Sequence, residues 1–450
     1  MNSISKATTT RLSIAMSAMM LLGSAASFSA QAENWAQWRG PAQNGTSPET
    51  SLPSDLDPDK NLAWKTELPG SSCATPVVFG DKIFFPALEK GTKKLLAICA
   101  SKTDGKILWT KEVGFGGVTN NKNDMASPSA ITDGKTVWFY YGTGDLVAYD
   151  LAGNALWARN LEKEYGEFHM NWIYSASPLL HGGKLYVPVL HRNVPVAAKG
   201  AAAAPAVTSG KSSDSYLLCV DPATGKNIFR HIRPTDALQE SQEAYTTPLA
   251  IEVNGKTQIV ILGADYVTGH DPENGTELWR SFNYDPSKSN SWRTVCGPVF
   301  AEGLIIGSPP KGGPLFAIMP TDGSKKDAST AWTAEKVTSD VCVPAYYKGN
   351  LYVLDGDRKK PLSCLDPKTG HVKWSVDIGG NAVFRTSPTA ADGKLYFMNE
   401  KAEVVVVSTE DGKIQSRRTL PQESASRSTI IVSDGLVIVR TSTTLFAFKK

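Results

Sequence analysis

The feature that most constrains this chain is a phrase it repeats: an apolar strand, an acidic or polar residue, a Gly four positions on, and an aromatic four positions after that. It runs from Cys219 to Phe229, from His270 to Trp279 and from Cys364 to Trp374, with looser copies ending at Trp109 and Trp157 and another through Gly412. An Asp able to cap a turn, followed by a Gly that accepts positive φ, closes a tight hairpin, and the aromatic then lies on the outgoing strand. A large flat side chain there can wedge between neighbouring sheets. Trp64, Trp109, Trp157, Phe229, Trp279 and Trp374 are the expected docking aromatics.

Upstream of each phrase lies a second one, a Pro before an apolar run, then a Gly turn and an alternating strand. Ser127-Pro128 to Gly134, Ser177-Pro178 to Gly183 and Ser387-Pro388 to Gly393 are examples. Together the two phrases describe a four-stranded antiparallel blade. Pro76, Pro128, Pro178, Pro248, Pro298, Pro344 and Pro388 each open a first strand, and an eighth unit begins near Ser428. That last unit ends with the chain at Lys450 and lacks its aromatic strand, whereas Leu62 to Leu68 reads as a final blade strand with no blade before it. The expected fold is an all-β, eight-bladed β-propeller over residues 62–450, its ring closed by the N-terminal strand in the last blade. Closure of this kind removes an exposed edge. A β-sandwich would not repeat its turn chemistry at a period of roughly 40 to 50 residues.

These paired phrases resemble the tryptophan-docking repeats of the pyrroloquinoline-quinone (PQQ) propeller superfamily, over roughly the whole of 62–450. The resemblance implies kinship with quinoprotein dehydrogenases, with the non-catalytic propeller lipoprotein of outer-membrane barrel assembly, and with secreted propellers of unassigned role. The stretch Asn34 to Pro41, followed by Asn44-Gly45, and the stretch Glu240 to Pro248 are similar to that last group.

Lys6 and Arg11 precede an apolar but Ser-, Gly- and Ala-rich run, and Ala30-Gln31-Ala32 offers a small-residue cleavage site. This pattern predicts a signal peptide over 1–32, a mature start at Glu33 and a periplasmic or secreted location. The first cysteine is Cys73, so lipidation at the cleavage site is excluded. Residues 33–61 read as a lead-in whose removal, down to about Ser54, is expected to matter less than loss of the closing strand. A low-complexity stretch at about 194–213 reads as a flexible insertion in the third blade.

A net charge of +3 with dispersed Lys and Arg argues against nucleic acid, no stretch of the mature chain is apolar enough to span a bilayer, and one closed ring is expected as a monomer. The six cysteines fall at the starts of first strands (Cys73, Cys296, Cys342) or the ends of third strands (Cys99, Cys219, Cys364). Those positions lie on opposite faces of the disc, so the thiols are expected free, buried and Val-like. They show no zinc spacing and include no adjacent pair.

Loops that lead into first strands converge on the mouth of the central channel. Blade register brings Asn123 and Asp124, His169, Asn171 and Trp172, Glu243 and Tyr245, Trp292 and Arg293, Asp340, Arg385 and Arg427 to that mouth. Carboxylates, guanidiniums and flat rings suit a polar planar ligand, a sugar or a peptide carboxylate. They also suit a water-filled funnel whose charges pair with one another. Arg385 and Arg427 occupy matching positions in neighbouring blades, which suggests a shared anion site with Asp340 and Glu243 as the internal counter-charges.

Three readings of function follow. The first is a non-catalytic binding or scaffolding propeller holding a protein partner or small polar ligand at one face, with no cofactor. The second is a PQQ-dependent alcohol-type dehydrogenase, in which Asp124, Asn171 and Glu243 would offer oxygens to Ca²⁺ beside the quinone. The third is a carbohydrate-binding module.

Overall fold

The computed structural model describes Met1 and residues 34–196, 214–357 and 361–450. The predicted signal peptide beyond Met1 and all but the flanks of the 194–213 insertion lie outside them. Eight antiparallel sheets follow one another along the chain, seven of four strands and one of five. The architecture is the eight-bladed propeller the repeats predict. Its last blade combines Ile431–Ser433, Leu436–Arg440 and Thr444–Phe448 with the N-terminal strand Leu62–Glu67. That strand pairs with Thr444–Phe448, from Leu62 against Phe448 to Glu67 against Thr444. In the described residues no helix is long and apolar enough to cross a membrane.

Every blade carries one row of four residues in cross-strand register. In blade 1 it is Val77, Phe84, Cys99 and Trp109; in blade 6 it is Ala345, Tyr352, Cys364 and Trp374. The outer aromatic always faces a small residue of the third strand, and a register shift sits beside it: Cys219 against Phe229, Gly269 against Trp279, Ala317 against Trp332, Ala447 against Trp64. The small partner leaves room for the ring. This explains Cys99, Cys219 and Cys364, which are free and buried; Cys296 and Cys342 are likewise buried, while Cys73 is partly exposed.

From that row the ring reaches into the next blade. Trp64, Trp109 and Trp157 donate their Nε1–H to Lys102 O, Leu151 O and Pro222 O at 2.9, 3.1 and 2.9 Å. Each ring covers the turn Gly of the neighbouring blade. Gly225 shows why that residue is Gly: its φ is +70° and a Cβ there would stand 2.7 Å from Trp157. Phe229 and Trp374 cover Gly275 and Gly412 in the same way. Trp332, which the phrase-based reading does not single out, donates to Pro367 O and covers Gly370. Trp279 departs from the pattern. Its Nε1 donates to Gln258 Oε1 of its own blade at 2.6 Å, and Gln258 Nε2 in turn reaches Thr321 O of the next blade. Leu278, not Trp279, lies nearest the turn Gly323.

The lead-in is packed into the fold. Trp35 and Arg39 are fully buried. Val78 N and Thr132 N donate to Trp35 O and Ala36 O, Ala250 N to Gln43 Oε1, Tyr346 N to Asn44 O and Ala390 N to Gly45 O, so one short segment touches blades 1, 2, 4, 6 and 7. Arg39 donates to Pro344 O and Pro388 O, at the start of two first strands. The segment thus crosses the end of the channel and closes it. Further on, Leu52 and Leu56 enter the core shared by blades 7 and 8, Tyr396 Oη donates to Pro53 O and Ser416 Oγ to Ser54 O. Ser416 holds the row position where other blades carry an aromatic. Residues 52–56 fill the space that the missing ring leaves.

Candidate functional site

Two rings of side chains line the channel. The inner ring is the residue two positions before each first strand, and most of its members are linked across blades. Thr75 N donates to Ser129 Oγ, Ser129 N to Ser177 Oγ and Ser177 N to Thr247 Oγ1. A second arc runs from Val343 N to Ser387 Oγ, Ser387 N to Thr429 Oγ1 and Thr429 N back to Thr75 Oγ1. The circuit breaks only where Gly297 and Val343 bring no hydroxyl. There the Trp38 ring of the lead-in lies against the wall, 3.5 Å from where a Cβ on Gly297 would be.

Two residues upstream stands the second ring: Cys73, Ser127, Ser175 and Tyr245 on one side, Val295, Val341, Arg385 and Arg427 on the other. Both rings, without Gly297, border a cavity of about 190 Å³ with Trp38, Lys122, Asn123, Trp172 and Arg293. No Asp or Glu lines it. In blade 2 the register differs from the one read off Pro128. Ile131 pairs with Trp138 as Val77 pairs with Phe84, so Ala130, not Pro128, stands where Pro76 does.

Of the residues expected at the mouth, Asn123, Trp172, Tyr245, Arg293, Arg385 and Arg427 line the cavity and the others do not. Asp124 borders a separate groove of about 950 Å³ that meets the channel at Cys73, Asn123 and Arg427. It is buried, accepts from Ala126 N and Ser71 Oγ, and burial pushes its carboxyl up to about 6. The two-residue offset of blade 2 explains its displacement. His169 is buried, stacked on His191 with ring centroids 5.7 Å apart. Asn171 donates its backbone N–H to Glu243 Oε2, and Trp292 its own to Ser241 Oγ. Asp340 accepts from Lys311 N and lies 3.9 Å from Arg385 Nη1.

The shared anion site between Arg385 and Arg427 has an internal occupant. Arg427 Nε donates to Glu400 Oε1 at 2.7 Å, and Arg385 Nε lies 4.0 Å from the same oxygen. Arg385 Nη2 also pairs with Asp357 at 2.6 Å. Glu243 takes no part: it is fully buried, bound to Arg192 Nε and Tyr245 Oη, and raised above the usual carboxylate range by burial. Arg427 is held further by Lys122 O and Asn121 O. Arg293 lies 3.6 Å from Glu240 and 5.6 Å over the Trp172 ring, whose Nε1 donates to Glu240.

A family model now bears on this arrangement. The PQQ_2 model, described as "Outer membrane protein assembly factor BamB", matches residues 55–189 and 266–450, well over half of the chain. The chain belongs to the PQQ_2 family. A curated relative, outer membrane protein assembly factor BamB of Yersinia pestis, is 30% identical over 99 residues, which span 20% of this chain and 25% of that one. Among solved structures, BamB from Moraxella catarrhalis superposes with a TM-score of 0.58 at 13% identity, over 86% of this chain and 98% of that one. A europium-containing methanol dehydrogenase gives 0.67 at 11% identity, over 93% and 98%. Quinohemoprotein alcohol dehydrogenase from Comamonas testosteroni gives 0.65 at 13% identity, over 92% and 80%. At such identities these structures establish the fold this PQQ_2 chain shares with them.

The metal half of a quinone site is not assembled from the residues proposed for it. Asp124 sits in the side groove, Glu243 is spent on Arg192 and Tyr245, and Asn171 meets Glu243 through its backbone. Among the described residues no group of three or more His, Cys, Asp or Glu is placed to hold a metal ion. The residues that register alone does not find are Glu400, Asp357, Trp38 and Lys122. The hydroxyl ring was in view, as Thr75-Pro76, Ser177-Pro178, Thr247-Pro248 and Ser387-Pro388.

Proposed function

We propose that this chain is an exported, non-catalytic binding propeller, holding a small polar ligand in its stoppered channel and offering the same face to a protein partner. The observation that carries this reading is the lining: hydroxyls, three guanidiniums, the Lys122 residue and three aromatic rings, with Asp357, Glu400 and Glu240, the carboxylates beside those guanidiniums, paired to them outside it. Such a wall grips and orients. It offers no carboxylate or imidazole to act as general base on an alcohol. A protein-partner role is supported by kinship with the assembly-factor family, export by the signal-peptide pattern of residues 1–32. The inter-blade aromatics are proposed to hold the ring rigid around the site.

Purified mature protein, reconstituted with PQQ and Ca²⁺ and assayed for dye-linked alcohol oxidation, is expected to show no turnover. Alcohol-dependent dye reduction lost on chelation would replace this reading with the dehydrogenase. N-terminal sequencing of the exported form is expected to begin at Glu33.

A further inference from the structure

The channel wall is divided into two sectors. In the inner ring, Thr75, Ser129, Ser177, Thr247, Ser387 and Thr429 carry hydroxyls, and blades 5 and 6 bring Gly297 and Val343 instead. Each of these hydroxyls accepts a backbone N–H from the neighbouring blade, and none gives its own proton to an acceptor among the described residues. A hydroxyl has one proton and two lone pairs, so each keeps a proton and a lone pair for an occupant. All but Thr247 belong to residues 4% exposed or less, which leaves the cavity as the place where those protons find acceptors. The other sector is apolar. Val295, Val341 and Val343 border the cavity there, and a Cβ at Gly297 would stand 3.5 Å from both the Trp38 ring and the Val343 side chain.

Charge is settled within the wall. Arg427 spends Nε on Glu400, Nη1 on Lys122 O and Nη2 on Asn121 O. Arg385 has Asp357, Asp340 and Glu400 at 2.6, 3.9 and 4.0 Å, and Arg293 has Glu240 at 3.6 Å. Lys122 meets this lining through its backbone carbonyl, which accepts from Arg427 and Cys73. None of those carboxylates borders the cavity. An anion therefore finds no guanidinium without a partner, and a cation finds no carboxylate.

We propose that the channel binds a neutral, polyhydroxylated saturated ring, a sugar or a cyclitol, with its hydroxyls on the Ser/Thr arc and its C–H face on Trp38 and the valines. This rests on the reading of the channel as a ligand site and adds the ligand's class, charge and orientation. Ligand hydroxyls give and take hydrogen bonds as the wall's own do, so the proton and the lone pair of each wall hydroxyl are met together. A carboxylate only takes, and an ammonium only gives. The C–H face of such a ring is apolar, and an aromatic ring backed by valines matches it.

The test places a thiol in the wall. In a Cys73→Ser background, which removes the only partly exposed native cysteine, Val343→Cys is reacted with the small neutral reagent methyl methanethiosulfonate, and each ligand is scored by how far it slows the reaction. The neutral panel is myo-inositol with the methyl glycosides of glucose, galactose and mannose, and at least one member is expected to protect. A glycoside ahead of inositol assigns a sugar, and the reverse a cyclitol. The same ring carrying a carboxylate or an ammonium in place of one hydroxyl-bearing group should protect at least about 10-fold more weakly, because its charge meets no free counter-charge. Nicotinamide, neutral and flat but without hydroxyls, should not protect. Trp38→Ala should weaken protection by up to about 10-fold, as loss of an aromatic contact implies, and Trp38→Phe should restore it. Protection by no neutral ring, or equal protection by the charged forms or by nicotinamide, overturns this assignment while the reagent's entry still shows an open pocket. A thiol that the reagent does not reach means the channel admits no ligand, and the binding reading falls with it. Val341→Cys, one ring nearer the mouth, repeats the measurement should position 343 not tolerate the change.

Discussion

Glu400 accepts from Arg427 at 2.7 Å and stands 4.0 Å from Arg385, so one carboxylate on a second-to-third-strand turn lets two guanidiniums from neighbouring blades share the channel mouth. Like charges at close range repel, and the cost rises as solvent is excluded. Glu400→Gln should therefore lower stability by about 2 kcal/mol, the scale of a lost charge-assisted hydrogen bond. It should also tighten binding of anionic probes, since the freed arginines then seek another partner. Urea denaturation beside calorimetric titration of benzoate would check both; unchanged stability with unchanged affinity would deny Glu400 its bridging role.

The aromatic rows predict an ordering among tryptophans. Trp332→Ala should cost about 3–5 kcal/mol, as for a packed core aromatic. Trp279→Phe keeps most of the ring but strands the buried Gln258 Oε1, and should still cost about 1–3 kcal/mol. Denaturation midpoints measure both, and a neutral Trp279→Phe would show that the Gln258 relay is incidental.

The contacts of the lead-in predict that its loss is severe even with the closing strand kept. A chain lacking residues 34–56 should lose its cooperative thermal transition, because the channel stopper and the filler between blades 7 and 8 leave together. Scanning calorimetry decides it; a transition like that of the full mature chain would reduce the segment to surface decoration.

Asp124 gives a pH dependence. Burial raises its carboxyl from 3.8 to about 6, so between those values the folded chain holds a proton that the unfolded chain has released. The unfolded state binds fewer protons, and stability from this group falls as pH rises from about 4 to about 6, then levels off. Asp124→Asn should flatten the slope in that window, read as denaturation midpoint against pH. An unaltered profile would assign the slope to other groups.

What the sequence displays and what it hides divide along a physical line. Turn chemistry is local and repeats, so blade count, hairpins and ring closure were legible, and Cys99, Cys219 and Cys364 could be read as buried apolar residues. Pairing across loops is neither local nor periodic. Asp357 and Glu400 come from turns that no register argument connects to Arg385 and Arg427. Blade 2 shifts by two residues, so counting back from Pro128 landed upstream of Ser127, on Asn123 and Asp124. Trp332 follows a longer hairpin and escapes the Gly-plus-four rule. The stopper occurs once, and a search for repeats passes over what does not repeat.

The pairing of Leu62 with Phe448 sets a clock on folding. Seven blades can form as the chain emerges, each complete in itself, while the strand made first waits with its backbone unpaired for the strand made last. Until Thr444–Phe448 arrives, Trp64 has no sheet to hold it against blade 1 and the mouth has no defined width. The pocket therefore waits on Thr444–Phe448, and a chain lacking that strand would be a row of blades with no closed site.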